Sequence, residues 1–170
     1  MIFETNRLLL RELEQKDFSD LCEILQDKKV MYAYEHAFSD EEVQQWLDKQ
    51  HKRYQNDGFG LWAVILKQTG QFIGQGGLTI QDYEGKQVPE IGYLLKKAYW
   101  HNGYATELAI GCKSYAFEQL NLNEVYSIIR DTNLASQRVA QRNAMTKIDV
   151  LTKHYYNIDM PHFVYCVKRA

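Results

Sequence analysis

Pro89-Glu90-Ile91-Gly92-Tyr93-Leu94-Leu95, then a polar turn from Lys96 to Asn102, then Gly103-Tyr104-Ala105-Thr106-Glu107-Leu108 running on to Tyr115: this stretch decides the fold. A short apolar segment, a glycine-bearing turn and a helix start together make an anion-binding device. The amides of the turn and the first orphan N–H groups of the helix point outward. The helix dipole adds roughly half a positive charge at the same place. Phosphate is the natural guest.

The chain contains neither G-x-x-x-x-G-K-[ST] nor a G-x-G-x-x-G after a strand, so nucleotide hydrolysis and dinucleotide binding lose their best support. The run Trp100-His101-Asn102-Gly103-Tyr104-Ala105 resembles the pyrophosphate loop of the GNAT acetyltransferase superfamily, Q/R-x-x-G-x-G/A, with tryptophan at the first position. The longer run Ala98 to Glu107, with its aromatic pair and G-Y-A-T-E, is similar to the RimJ/RimL-type branch. Thr5 to Glu12 resembles that branch's opening strand and Asn133 to Asn143 its later helix, so the likeness spans nearly the whole chain.

At 170 residues the chain suits one well-buried core, read as a single domain over 1–170. Its hydrophobic fraction of 45% and formal charge of −2 give no reason to expect nucleic-acid binding. The slight acidity favours a cationic acceptor. Cys22, Cys112 and Cys166 are widely spaced and odd in number, which suggests buried thiols in a reducing compartment and neither a disulfide framework nor a metal site. No basic-plus-apolar leader and no apolar run of about 18 residues occurs, so the expectation is a cytoplasmic protein with no membrane contact.

Leu8 to Leu10 between Arg7 and Arg11 suit a first strand. Asp17 is a candidate N-cap for a helix carrying Phe18, Leu21, Cys22, Ile24 and Leu25 at helical spacing. Ser39-Asp40-Glu41-Glu42 reads as a capping box opening a helix that runs toward Gly58. Three strands follow, Leu61 to Lys67, Phe72 to Ile80 and Val88 to Leu95, turned at Thr69-Gly70 and Glu84-Gly85. Gly103 to Leu120 and Asn133 to Met145 read as helices, with strands at Val125 to Ile129, Ile148 to Leu151 and His162 to Val167. This order matches what the resemblance implies: an α/β (α+β) GNAT fold, a mixed and mostly antiparallel sheet of six to seven strands with about four helices.

The resemblance implies acetyl transfer from acetyl-CoA to a primary amine by direct attack, with coenzyme A as co-substrate and no metal. Such chemistry asks for a cradle, a base, an acid and a donor for the oxyanion. The cradle is His101, Asn102, Gly103, Tyr104, Ala105 and Thr106, with the main chain of Leu94 and Leu95 pairing to the pantetheine amides; a plain helix-on-sheet turn would read the same way. Glu90 shares a face with Gly92 and Leu94 by alternation, where family members keep a proton-accepting carboxylate. Enclosure by Tyr93, Trp62 or similar neighbours would raise its pKa; a hydrated strand-edge glutamate is the plainer alternative.

Asn133 resembles a pantetheine-binding and helix-capping residue, and Arg138 with Arg142 is spaced to meet the 3′-phosphate. The tyrosine that many members carry four residues past the Ser136 position is Ala140 here, so Ser136 is the candidate acid, with a packing role as its alternative. Ala144 stands where the family reads glycine, which weakens a helix-ending turn. Tyr32, Tyr34, Glu35 and Tyr83 are candidates for the amine pocket, or for sealing a core; His36 and His101 are alternative bases. The acceptor is a protein N-terminus, such as that of a ribosomal protein, or a small amine, and a homodimer is allowed. A non-catalytic acyl-CoA-binding or interaction module, and an unrelated phosphoryl-binding domain, are the competing readings.

Overall fold

The computed structural model describes residues 1–34, 36–155 and 158–170. Eight strands form one sheet in the order β1 (Phe3–Glu4), β2 (Leu8–Arg11), β3 (Leu61–Leu66), β4 (Phe72–Tyr83), β5 (Lys86–Leu95), β6 (Glu124–Arg130), β8 (Ile158–Lys168) and β7 (Thr146–Tyr155). All neighbours are antiparallel except β5 and β6. Among the described residues there are four α-helices: α1 (Phe18–Leu25), α2 (Asp40–Asp57), α3 (Tyr104–Glu118) and α4 (Leu134–Arg142).

The eighth strand is β1, whose two residues pair with Leu9 and Leu10 and are too few to carry a periodic signal. Its Phe3 stacks on Tyr115 of α3 and meets Trp62 edge-on, which fixes the start of the chain against the core. The closing hairpin is longer than its apolar runs suggest, because β7 and β8 stay paired out to Tyr155 and Ile158. The Ser39 capping box forms with both reciprocal bonds to Glu42, and Gly58 ends α2 at φ 80°. Asp17 does not cap α1 through its side chain. Its buried carboxylate is taken instead by both Nη atoms of Arg11, at 2.8 and 2.9 Å, and by the Glu14 amide.

The sheet separates two cores. On one face Leu108, Ala109, Cys112 and Ala116 of α3 and Val139 and Ala140 of α4 pack on Trp62, Val64 and Ile91. Leu108 presses so closely that a Cβ at Gly76 would lie 2.5 Å from its Cδ2. Full burial of such a leucine contributes about 1.5–3 kcal/mol, enough to fix the height of α3 on the sheet. On the other face Leu21, Ile24, Leu25, Val43 and Leu47 of α1 and α2 pack on Ala63 and Phe72, with Leu94 against them. The N-terminus of α3 therefore stands just beyond the end of β5.

Candidate active site

The parallel pairing of β5 with β6 is confined to Glu90↔Tyr126. Lys96 N–H donates to Ile73 C=O at 2.8 Å, which sets the phase of the β4–β5 ladder. Gly92 and Leu94 accordingly turn their main chains into β4, while Ile91, Tyr93 and Leu95 turn theirs toward β6. The next rung to β6 would join Ile128 N–H to Ile91 C=O. Instead Ser127 Oγ donates to Ile91 C=O at 3.2 Å, and Ile128 N–H donates to Glu90 Oε2 at 2.6 Å. A wedge opens beyond that point. Its β5 wall offers the N–H and C=O of Tyr93 and the N–H of Leu95, since Leu95 C=O accepts from Trp100 Nε1 at 3.0 Å. Leu94, expected on this edge, is committed to Gln75 across β4.

The wedge leads to the loop. His101 and Gly103 both take left-handed conformations, φ 65° and 79°, and turn the chain sharply into α3. Among the described residues nothing accepts from the amides of His101, Asn102, Gly103, Tyr104, Ala105 or Thr106. Glu107 in this first turn would repel an anion if left bare, but its carboxylate faces the other way. It accepts from Thr5 Oγ1 at 2.5 Å, from Arg7 N–H at 2.8 Å and from Arg7 Nε at 2.7 Å. Burial acts to raise its pKa, yet the Thr5 and Arg7 hydrogen bonds outweigh it and hold the carboxyl below its usual range. Arg7 also donates to Asn102 C=O at 2.9 Å and lies over the Tyr104 ring. A cation thus reaches the loop from the residue just before β2, while Trp100 occupies the first loop position.

Glu90 sits at the mouth of the wedge, half-buried. Burial pushes its carboxyl up to about 7, against the opposing pull of the Ile128 amide, Lys153 and Arg53. The enclosing groups are not Tyr93 and Trp62. Both point to the α3 face, Trp62 against Phe3 and Tyr115, whereas Glu90, Gly92 and Leu94 face α1 and α2. A Cβ at Gly92 would meet only Leu61 Cδ2, at 4.0 Å, so a hollow lies beside Glu90 on that face.

Across the sheet, Asn133 Oδ1 caps α4 by accepting from Ser136 N–H at 3.2 Å. The Ser136 hydroxyl lies near the Tyr93 phenol, which burial pushes up to about 12 while Ser136 acts in the opposite sense. Ala140 is buried in the core. Arg138 and Arg142 are exposed one turn apart on α4.

Tyr32 and Tyr34 lie on a short 3-10 turn, 47% and 44% exposed, with Tyr34 edge-on to Trp46. Burial raises the Tyr32 phenol against the opposing pull of Arg130, and Tyr32 in turn acts on the Tyr93 phenol. Glu35 lies outside the described residues. Tyr83 is elsewhere: four residues along β4 from Thr79, the partner of Glu90, it stands about 13 Å away at the usual strand rise. Its hydroxyl donates to Asp149 Oδ2 at 2.7 Å. His36 Nε2 bonds Glu42 at 2.9 Å on the far end of α2, and His101 is exposed in the loop. Sequence reasoning missed Arg7, Tyr93 as a partner of Ser136, and Arg53. Only Arg7 had a local clue, its place in the strand that resembles the family's first.

Residues 7–146 match the family model described as an acetyltransferase (GNAT) domain. The chain is 34% identical to the uncharacterized protein YkkB of Bacillus subtilis over 142 residues, 83% of each chain. It is 30% identical over 148 residues to YnaD of the same organism, an uncharacterized N-acetyltransferase, covering 86% of this chain and 84% of that one. Among solved structures it superposes on a GNAT-family acetyltransferase from Bacillus anthracis with a TM-score of 0.82 and 26% identity, covering 97% and 96% of the two chains. RimL, a ribosomal α-N-protein acetyltransferase solved with coenzyme A, shares the fold at a TM-score of 0.79 and 17% identity, covering 98% and 97%. A wedge between two parallel strands, a loop of unpaired amides at its end and a family match across most of the chain agree: this protein belongs to the GNAT acetyltransferase family.

Proposed function

We propose that the protein transfers the acetyl group of acetyl-CoA to a primary amine by direct attack in a ternary complex. The observation that carries this reading is the pairing of Glu90 with the opening of the β5–β6 wedge. The cofactor fits the residues present: six unpaired amides suit a diphosphate, and the unpaired main chain of Tyr93 and Leu95 suits an amide-bearing arm. Bound acetyl-CoA would supply the activated thioester.

The chain supplies binding, orientation and proton transfer. The amides of His101 to Thr106 hold the diphosphate, supported by the α3 dipole and by Arg7, while Arg138 and Arg142 are placed for the 3′-phosphate. Asn133, in capping α4, sets Ser136 on the side of the wedge that Tyr93 lines. Glu90, with a pKa near 7, accepts the ammonium proton directly or through a water and can release it again near neutrality. Ser136 gives a proton to the departing sulfur. Tyr32 and Tyr34 border the amine's approach, and Glu35 belongs to the same segment. The acceptor is a protein N-terminus or a small amine, in keeping with a RimJ/RimL-type enzyme. Three free cysteines fit a reducing compartment such as the cytoplasm.

Thiol release from acetyl-CoA in the presence of an amine panel, with mass detection of the acetylated product, tests the proposal. Amine-dependent release that Glu90→Gln abolishes supports it. Tight coenzyme A binding without transfer to any amine would instead make the chain an acyl-CoA-binding module.

A further inference from the structure

Two cations act on Glu90 beside the hollow, Arg53 and Lys153. Arg53, on the last turns of α2, is half-buried and spends one nitrogen on Gln50 Oε1 at 3.1 Å. Among the described residues it forms no ion pair, although Asp57, Glu90 and Tyr34 act on it electrostatically. Gly60 lies directly against it, so close that a Cβ there would stand 3.2 Å from Arg53 Cβ. Gln50 is fully buried and held by Leu61 N–H, so the base of the arginine is fixed. Gln75, on the same sheet face, is fully buried; its Oε1 accepts from Trp46 Nε1 at 2.8 Å but its Nε2 has no partner. It lies two residues along β4 from Gly77, which pairs with Gly92 in the floor of the hollow. Lys153 acts on Glu90 from β7 and likewise has no ion-pair partner among the described residues.

Glu90 is the carboxylate at the centre of this group, with Asp57 acting on Arg53 from the end of α2, and the two cations Arg53 and Lys153 both act on Glu90 although the whole chain is slightly acidic. A polycation would have to approach Arg53 and Lys153 with like charge. We propose that the acceptor amine carries an anionic group, a carboxylate or a phosphate, which Arg53 holds while the amine meets Glu90. This deepens the acetyltransferase reading and rests on it. It reverses the expectation of a cationic acceptor drawn from net charge, because the field of a site is set by the few charges that face it.

The test uses matched pairs of amines differing in one charge: glutamate with glutamine, phosphoethanolamine with ethanolamine, and peptides opening Ser-Glu with peptides opening Ser-Gln. Spermidine serves as the polycation. In at least one pair the anionic member should show a kcat/KM about tenfold or more above its neutral partner, the ordinary worth of one charge-assisted hydrogen bond. Which pair responds tells a free amino acid from a phosphate ester or an acidic protein terminus. Arg53→Gln should raise KM far more for the anionic member than for the neutral one, and Arg53→Lys should restore part of the difference. Coenzyme A binding by calorimetry reports that both variants are folded.

Equal rates within every pair, a preference for spermidine, or a charge preference that persists in Arg53→Gln would overturn the inference while leaving the acetyltransferase reading intact. If coenzyme A binds and no amine is acetylated, both readings fall together.

Discussion

Replacing Glu90 with glutamine keeps the shape of the side chain and an acceptor for the Ile128 amide, and removes only the titration. Burial moves this carboxyl from its ordinary 4.5 to about 7. Below pH 4.5 it is protonated in folded and unfolded chains alike. Between 4.5 and 7 the unfolded chain ionises while the folded chain keeps its proton, so stability falls as pH rises. Above 7 the folded protein bears the whole cost, at most about 3 kcal/mol for a shift of this size. Glu90→Gln should therefore denature at the same temperature as the wild type near pH 4 and at a higher one at pH 8. Its catalysis should move the other way. The acid limb of wild-type kcat/KM should have its midpoint near 7, where the carboxylate forms, and the variant should lose that limb together with about 100-fold or more of its rate, as removal of a general base does. Thermal denaturation across pH, a thiol-release assay and coenzyme A calorimetry read all three. A variant with wild-type rate and an unchanged acid limb would refute the assignment of Glu90 as base.

Gly103→Val forces a β-branched residue to φ 79° and places its Cβ 3.4 Å from Arg7 Nη2; coenzyme A affinity measured by calorimetry should fall about tenfold or more, as amides leave the loop's concave arrangement. Gly92→Val projects into the hollow and not into the core, so KM for the amine should rise steeply while coenzyme A affinity and melting temperature hold. Ser136→Ala should slow transfer more than Tyr93→Phe if the serine donates directly to sulfur, and the reverse order would give the role to the phenol; single-turnover rates decide. Ala144 sits at φ 61°, a left-handed position that costs a residue with a Cβ roughly 1 kcal/mol, so Ala144→Gly should raise stability by about that amount in urea titrations.

Much of the fold is written locally. The Ser39–Glu42 box, the glycine at 58 and the apolar runs of β3 and β4 each specify an element from neighbours in sequence. Alternation also puts Glu90 on the correct face, away from α3. What alternation cannot give is the direction of the main-chain groups, which depends on how β5 registers against β4; hence Tyr93, not Leu94, lines the wedge. The same residue's side chain lies opposite Glu90, so the carboxyl's high pKa comes from burial on the α2 side. Asp17 looks like a cap until Arg11, six residues away, claims its carboxylate through both nitrogens. Arg7 reaches Asn102 across 95 residues of chain, and Arg53 acts on Glu90 from the far side of the α2–β3 turn, where Gly60 packs against it. Lone arginines carry no spacing signal, so their roles wait on the tertiary structure.

A crystal structure of the protein with coenzyme A bears most directly on this site. It should show the diphosphate on the amides of Asn102 to Thr106, the pantetheine arm bonded to the main chain of Tyr93 and Leu95, and the sulfur within the wedge between Ser136 and Glu90. A cofactor bound elsewhere, or a wedge closed by continued β5–β6 pairing, would contradict this arrangement.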